Sequence, residues 1–297
     1  MPEYDSARSR WIPCYATYYG PGPSADSEPD AASSPMIEVS EVTRRVAQAE
    51  EEQASAGRGG VPLSGLGEAR VHTIAGSTYR DNSTIVIVPS RDEMFHHRVV
   101  ASWAGLIAPM NQKRAWMYCI GDEVGVAYNR MIADILANPE FSKWKYVMTV
   151  EADNIQPPDA QIRLLETIEK YRFDAVSGLY WTKGDYNMPM AYGDPAEFAR
   201  TGVLDFRPRD TAECLASGQA MEVNGIACGC SLYRLDLFRE VPQPWFVTVA
   251  DVVEGVGPTG FTQDLHFCKT ARMMGKRFGV DTRVKVGHID FATGTVY

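Results

Sequence analysis

The sequence predicts an α/β protein: a mostly parallel sheet flanked by helices, preceded by an N-terminal extension. Three observations carry that expectation. From residue 82 to about residue 170, short apolar runs alternate with stretches of helical periodicity, the pattern of strands joined by crossover helices. The apolar runs are continuous rather than alternating, as in strands buried on both faces. At 297 residues, 45% hydrophobic and 23% charged, the chain has the composition of an ordinary globular protein and the length for one large domain or two small ones.

Residues 1–80 form the extension. The run YYGPGPSADSEPDAASSP is rich in Pro, Gly, Ser and Asp and has little to bury, so it reads as a loop or extended arm. Val39, Val42, Val46 and Ala49 then mark one face of an amphipathic helix that runs into AEEEQ and AGRGG. Such a face packs on its own domain or on a second copy of the chain, which makes a homo-oligomer through the arm one expectation.

The compact domain is expected over residues 82–297. It opens on a strand, Ile85 to Val88, expected to break at Pro89. A helical segment around Phe95 to Ile107 follows, then the strand-like AWMYCIG, then a helix from about Glu123 to Leu136 with Val126, Ile132 and Leu136 among its apolar positions. The next strand is KYVMTV. Pro157 and Pro158 open another helix, on which Ile162, Leu165 and Ile168 recur at helical spacing. Further on, DAVSGLYW reads as a buried strand, AMEVNGIACGCSLYRLDLF as two strands feeding a helix, and KRFGVDTRVKVGHID as closing strands. No solenoid repeat is visible.

Whole-chain properties exclude several classes. A formal charge of −9 and a pI near 5.1 argue against a protein that grips nucleic acid mainly through its phosphates. Six cysteines are scattered without C-x-x-C spacing, which reads as reduced thiols in a cytoplasmic protein. There is no run of about 18 apolar residues, and the N-terminus lacks the basic-then-apolar order of a signal peptide, so neither a membrane span nor secretion is expected.

The chemistry concentrates where strands end. Glu151 and Asp153 follow directly on KYVMTV, at the carboxyl end of a strand, where open α/β sheets bind ligands. Paired acids there hold a divalent cation, act as an acid/base pair, or cap the following helix, a task open to Asp153 or Asn154. Asp264 falls in the first turn of the helical TQDLHFCKTARMMG, where an acid favours the helix dipole and Thr262 is a ready cap. His288 lies on a late strand. His96 and His97 are expected on a helix surface. Cys228 and Cys230 straddle a glycine in a buried strand, where small residues admit a substrate or another backbone. Tyr180, Trp181 and Lys183 follow the AVSGL strand, either facing a ligand or packing.

Three segments in order, GIACGCSLYR, PQPWFVTV and GFTQDLHFCKTARMMGKRFGVDTRVKVGHID, together with the acids after KYVMTV, resemble GT-A-type nucleotide-sugar glycosyltransferases, especially the family-2-like enzymes common in bacteria and phages. The resemblance covers residues 82 to 290 and implies a GT-A-like Rossmann-type fold. It implies that Pro89, Ser90, Arg91 and Glu93 hold the nucleotide base, and that Asn129 on YNRMIADIL lines the donor site together with Tyr180 and Lys183. It places the metal-diphosphate motif at Glu151, Ala152 and Asp153, the acidic pair at Gln263 and Asp264, and a metal-completing histidine at His288. Glu151 stands where aspartate is usual and so serves ribose or metal-bound water; Gln263 stands where glutamate is usual and cannot ionise.

The implied activity is a metal-dependent transfer of sugar from a nucleotide donor, UDP-linked in preference to GDP-linked, to a hydroxyl on a glycan, a protein or a modified nucleobase. Asp153 and His288 would hold the ion, and an imidazole beside carboxylate and phosphate oxygens favours Mn²⁺ over Mg²⁺. Asp264 would be the general base or position the acceptor. Two alternatives are a catalytically silent carbohydrate-binding or virion-associated structural protein of the same fold, and a sugar nucleotidyltransferase. The latter class carries a glycine-rich basic loop after its first strand, where this chain has VPSRDEMFHH.

Overall fold

Alternating side chains on β2 (Thr84–Ser90) divide between two cores, one on each face of a central sheet. Ile85 and Ile87 point into one, Val86 and Val88 into the other, and all four are fully buried. Burial on both faces is why the strand reads as a continuous apolar run. The computed structural model describes residues 10–12, 80–253 and 257–297.

β2 lies between β3 (Arg114–Ile120) and β4 (Tyr146–Val150), parallel to both. Beyond β4 the order continues through β10 (Cys230–Arg234), β6 (Ala175–Leu179), β13 (Phe278–Lys285) and β8 (Ala220–Val223). β10 is antiparallel to both β4 and β6, so β4 and β6 point the same way, and β13 is parallel to β6. β2, β3, β4, β6 and β13 therefore share one direction, and their carboxyl ends share one edge. β8 closes one side, antiparallel to β13. At the other side β1 (Arg10–Ile12) pairs antiparallel with β3, so part of the expected arm joins the sheet. The rest of that arm, including the helix expected at Val39 to Ala49, lies outside the described residues.

Helices cover both faces. α1 (His97–Ala104) and α3 (Ala160–Tyr171) place Val99, Trp103, Leu164 and Ile168 on one core. α2 (Val124–Ala137) presses Tyr128, Met131, Ile132 and Ile135 into the other. Short helices α4 (Pro195–Thr201), α5 (Thr211–Ala216) and α6 (Leu237–Glu240) punctuate the second half, and α7 (Gln263–Met273) adds Phe267 and Cys268 to the α2 core. The class expected from sequence, a mixed α/β fold around a mostly parallel sheet, is the one observed.

Some local expectations change. Pro89 does not end β2: pairing with β4 stops at Ile87 opposite Thr149, while pairing with β3 runs on through Pro89 and Ser90. A residue without an N–H is tolerated where one neighbour has dropped away. Val126 is 48% exposed, the buried stripe of α2 running instead through Tyr128 and Ile132. The segment read as two strands feeding a helix also contributes β9 (Gly225–Ile226), which pairs with β7 (Ala191–Tyr192) outside the central sheet. β11 (Val249–Val253) and β12 (Gly257–Phe261) pair with each other.

Gly279 on β13 has no room for a side chain, since a Cβ there would meet the Phe173 ring at 2.2 Å. Phe173 is buried and stacked on Tyr171, so it cannot swing away. Gly279→Ala is expected to lower unfolding free energy by about 1–3 kcal/mol through overpacking, measured as a shift of the urea midpoint.

Candidate functional site

Three separate segments meet at the carboxyl edge of the sheet. The first leaves β4 at Glu151, turns through Ala152 and Asp153, with the Asn154 N–H donating to the Glu151 carbonyl at 3.1 Å, and enters β5 (Asn154–Ile155). The second is β14 (Gly287–His288), which follows β13 and pairs with β5 so that His288 lies opposite Asn154. The Ile289 N–H donates to the Asp153 carbonyl at 2.9 Å, locking the two together. The third follows β6 through Tyr180, Trp181 and Lys183.

These segments focus on one carboxylate. Asp153 Oδ2 lies 2.5 Å from Lys183 Nζ and 3.2 Å from His288 Nε2. The other imidazole nitrogen, Nδ1, is 2.8 Å from the Trp181 carbonyl, which can only accept, so Nδ1 carries a hydrogen. Nε2 therefore faces the carboxylate, and the two call for a positive charge between or beside them. A backbone carbonyl holding the far nitrogen is also how proteins orient a metal-binding histidine. Burial by itself would raise the Asp153 carboxyl; the hydrogen bond and charge that His288 supplies when Nε2 also carries a proton, together with those of Lys183, outweigh it and hold the group below the ordinary aspartate value.

Glu151 is driven the opposite way. Burial raises it first, the charges of Asp153 and Asp264 add to that, and the hydrogen bond from Tyr128 Oη at 3.1 Å does not compensate, so it is pushed up to about 8. Two acids two residues apart thus differ in character: Asp153 is ionised at neutral pH and Glu151 is largely protonated. Asp264, only 7% exposed, is raised by burial although the Thr262 hydroxyl and the Leu265 N–H both donate to its Oδ1. Thr262 occupies the helix N-cap position but spends its hydroxyl on Asp264 rather than on the helix.

A cleft of ≈ 310 Å³ opens over Glu151 and Asp153, with Gln263 rather than Asp264 at its lining. Pro89, Ser90 and Arg91 from the end of β2 form one wall, Asp122 and Val124 another, and Glu151, Asp153, Gln263 and Phe291 line the rest. Glu93 lies in the adjoining groove, which shares Asp92 and Phe291 with the cleft. Phe291 is stacked on His96 with ring centroids 5.6 Å apart. His97 is exposed, as expected, whereas His96 caps α1 by accepting from the Arg98 N–H at 3.3 Å.

The sequence expectations divide accordingly. Pro89, Ser90, Arg91, Glu151 and Asp153 line the cleft, Lys183 and His288 both reach its Asp153, and Glu93 borders it. Asn129 does not line a donor site. Its amide donates to the Gly125 and Phe246 carbonyls, and its oxygen accepts from the Trp245 and Phe246 N–H groups, leaving no capacity for a ligand. Tyr180 is 1% exposed and supports the site from below: its hydroxyl accepts from the Gly229 N–H at 2.8 Å, and its ring meets His288 edge-on. Neither Asp153 nor Asn154 caps α3, whose N-cap is Asp159. The glycine between Cys228 and Cys230 admits the side chains of Asn154 and Tyr180 rather than a substrate.

Asp122 was not singled out from sequence, although its position, an acid closing a strand run in YCIGD, is the signal that marked Glu151. Buried to 2% exposure, it accepts from Arg130 at 2.7 Å and from the Cys119 thiol at 3.3 Å. Phe291 offered no signal, because only the fold of the C-terminal segment brings it to the cleft. Among the described residues the five cysteines are free and buried, and Cys14 lies outside them. Burial pushes the Cys230 thiol up to about 12, which keeps it from acting as a thiolate ligand.

Among the described residues, no group of three or more His, Cys, Asp or Glu side chains is placed to hold a metal. A cation here would take two ligands from the protein, Asp153 and His288, and complete its shell from a bound ligand and water. No helix among the described residues is long and apolar enough to cross a membrane. No protein-family model matches the chain, and no curated protein sequence does. Among solved structures, the chain is similar to the crystal structure of A197 from STIV, with 15% identity over 70% of this chain and 86% of that one and a TM-score of 0.46.

The Glu151 shift has a direct consequence for stability. The unfolded chain loses this proton near pH 4.5 and the folded chain holds it to about pH 8. Unfolding therefore releases a proton in that window, and this group's contribution falls as pH rises. In chelator, Glu151→Gln is expected to unfold at a urea concentration close to wild type near pH 4 and at a progressively higher relative concentration toward pH 8.

Proposed function

We propose that this protein is a divalent-metal-dependent glycosyltransferase of GT-A type. It moves a sugar from a nucleotide donor, UDP-linked in preference to GDP-linked, to an acceptor hydroxyl. The observation that carries the reading is the convergence of His288 Nε2 and Lys183 Nζ on one oxygen of Asp153, with the imidazole fixed from behind by the Trp181 carbonyl. An ionised carboxylate and an oriented imidazole nitrogen are a donor set for Mn²⁺ or Mg²⁺, and the imidazole favours Mn²⁺. When bound, such an ion neutralises the diphosphate and acts as a Lewis acid on the leaving group.

The lining of the cleft supports the same reading. Asp122 and Asp153 are paired with Arg130 and Lys183, and Arg91 stands beside Asp92, so the cleft offers a nucleotide diphosphate little net positive charge of its own, which favours arrival together with a cation. Pro89, Ser90 and Arg91 form the wall assigned to the nucleotide base. Glu151, largely neutral, has a proton to donate to a ligand hydroxyl or water and is a weak metal ligand in that state. Asp264, buried and raised, is suited to accept a proton from the acceptor hydroxyl as general base.

The test is nucleotide release by the purified protein from a panel of UDP- and GDP-sugars, with Mn²⁺ and with chelator. Metal-dependent release from one donor is expected, with Asp153→Ala and His288→Ala each lowering it by about 100-fold or more. Asp264→Asn is expected to keep donor affinity within about twofold while stopping transfer. Near-wild-type rates in both metal-site variants, or neither release nor metal-dependent nucleotide binding in wild type, would overturn the assignment and favour a silent binding protein of this fold.

A further inference from the structure

Lys183 holds the carboxylate oxygen that a metal would need. Its ammonium is 2.5 Å from Asp153 Oδ2, the oxygen that also faces His288 Nε2. A divalent ion bridging that oxygen and the imidazole nitrogen would come within about 2–2.3 Å of each, a place that an ammonium on the same oxygen excludes by contact and by like charge. We propose that Lys183 is a resident cation that the incoming metal displaces from Asp153, and that the freed ammonium then serves the diphosphate that accompanies the metal. This rests on the metal-dependent reading above.

The surroundings fit an exchange rather than a permanent ion pair. The Lys183 and Asp153 side chains retain 32% and 28% of their exposure, so the pair sits at the rim and the lysine can swing out at little cost. A second environment is at hand: Lys183 Nζ lies 5.8 Å from the centroid of the Phe291 ring. The loop carrying it is tied at its base, where Thr182 N–H donates to the Met188 carbonyl at 2.8 Å and Met188 N–H to Thr182 Oγ1 at 2.9 Å. Beyond that tie Lys183 and the loop tip are exposed, and Gly184 takes a left-handed φ of 93°.

The same short segment also holds the histidine. Trp181 supplies the carbonyl that orients His288, and Lys183, two residues on, sits on Asp153. One anchored segment thus orients the imidazole through a backbone carbonyl and carries a movable counter-cation. The arrangement keeps Asp153 compensated when no metal is bound and makes the free site bind metal weakly until an anion arrives to take up the lysine.

The experiment uses the full chain freed of metal by chelator. Mn²⁺ is titrated while free ion is followed by electron paramagnetic resonance, and UDP is then titrated calorimetrically at saturating Mn²⁺. Lys183→Ala is expected to bind Mn²⁺ about fivefold more tightly than wild type and UDP about fivefold more weakly, with Lys183→Arg near wild type in both. A structural disturbance would weaken both. Unchanged or weaker Mn²⁺ binding by Lys183→Ala, with wild-type binding abolished by Asp153→Asn, overturns the exchange and leaves the metal centre standing. Mn²⁺ binding by neither wild type nor Lys183→Ala overturns both.

Discussion

The site depends on a close approach that only glycine permits. Gly229 lies just before β10, against the turn that leaves β4 and the residue that follows β6. A Cβ there would stand 2.4 Å from Asn154 Oδ1 and 2.6 Å from the Tyr180 hydroxyl. Its N–H donates to Tyr180, and its carbonyl accepts from Gln156 Nε2 at 2.9 Å. Tyr180 supports His288, and Asn154 is the register partner of His288 across β5 and β14. One glycine backbone therefore sets how closely the carboxylate-bearing turn and the lysine-bearing segment can meet. The reversed strand β10 puts it there, because an antiparallel strand between β4 and β6 begins where its neighbours end.

Electrostatics then separates groups that look alike in sequence. Glu151 and Asp153 are both acids in one turn, yet Asp153 receives an ammonium and an imidazole, while Glu151 is raised first by burial and then by the repulsion of two other acids, against a single phenol hydroxyl. Environments that push neighbouring carboxylates apart assign them different tasks. Here the ionised one is suited to a cation and the neutral one to donating a hydrogen bond. With Asp122 paired to Arg130 and Asp153 to Lys183, the lining has little uncommitted positive charge for an anionic ligand.

Much of the fold was legible along the chain. The runs at Ile85, Val147 and Val176 are mostly apolar and buried along their whole length because helices cover both faces, and periodicity needs no knowledge of partners to show it. Asp153, Asp264 and His288 were legible as candidates because acids at strand and helix ends and a histidine on a late strand fall where ligands bind in open α/β sheets. The misreadings share a cause. Pro89, Val126, Asn129 and Tyr180 were judged by residue type, whereas their roles follow from neighbours distant in sequence: the length of β4, the face α2 turns to the core, the 245–246 backbone, and Gly229.

The sequence by itself determined the strand and helix segments, the acidic balance and the set of candidate side chains, since these follow from local periodicity and residue chemistry. Only the tertiary structure decided which of them act together. Asp153 and His288 are 135 residues apart and meet because β14 pairs with β5. Lys183 and the Trp181 carbonyl join them because β6 ends beside that pair. The reversal of β10, the saturation of Asn129 and the opposite shifts of Glu151 and Asp153 are likewise matters of packing. A charge or a hydrogen bond is fixed by its distances in space, and sequence order alone does not contain them.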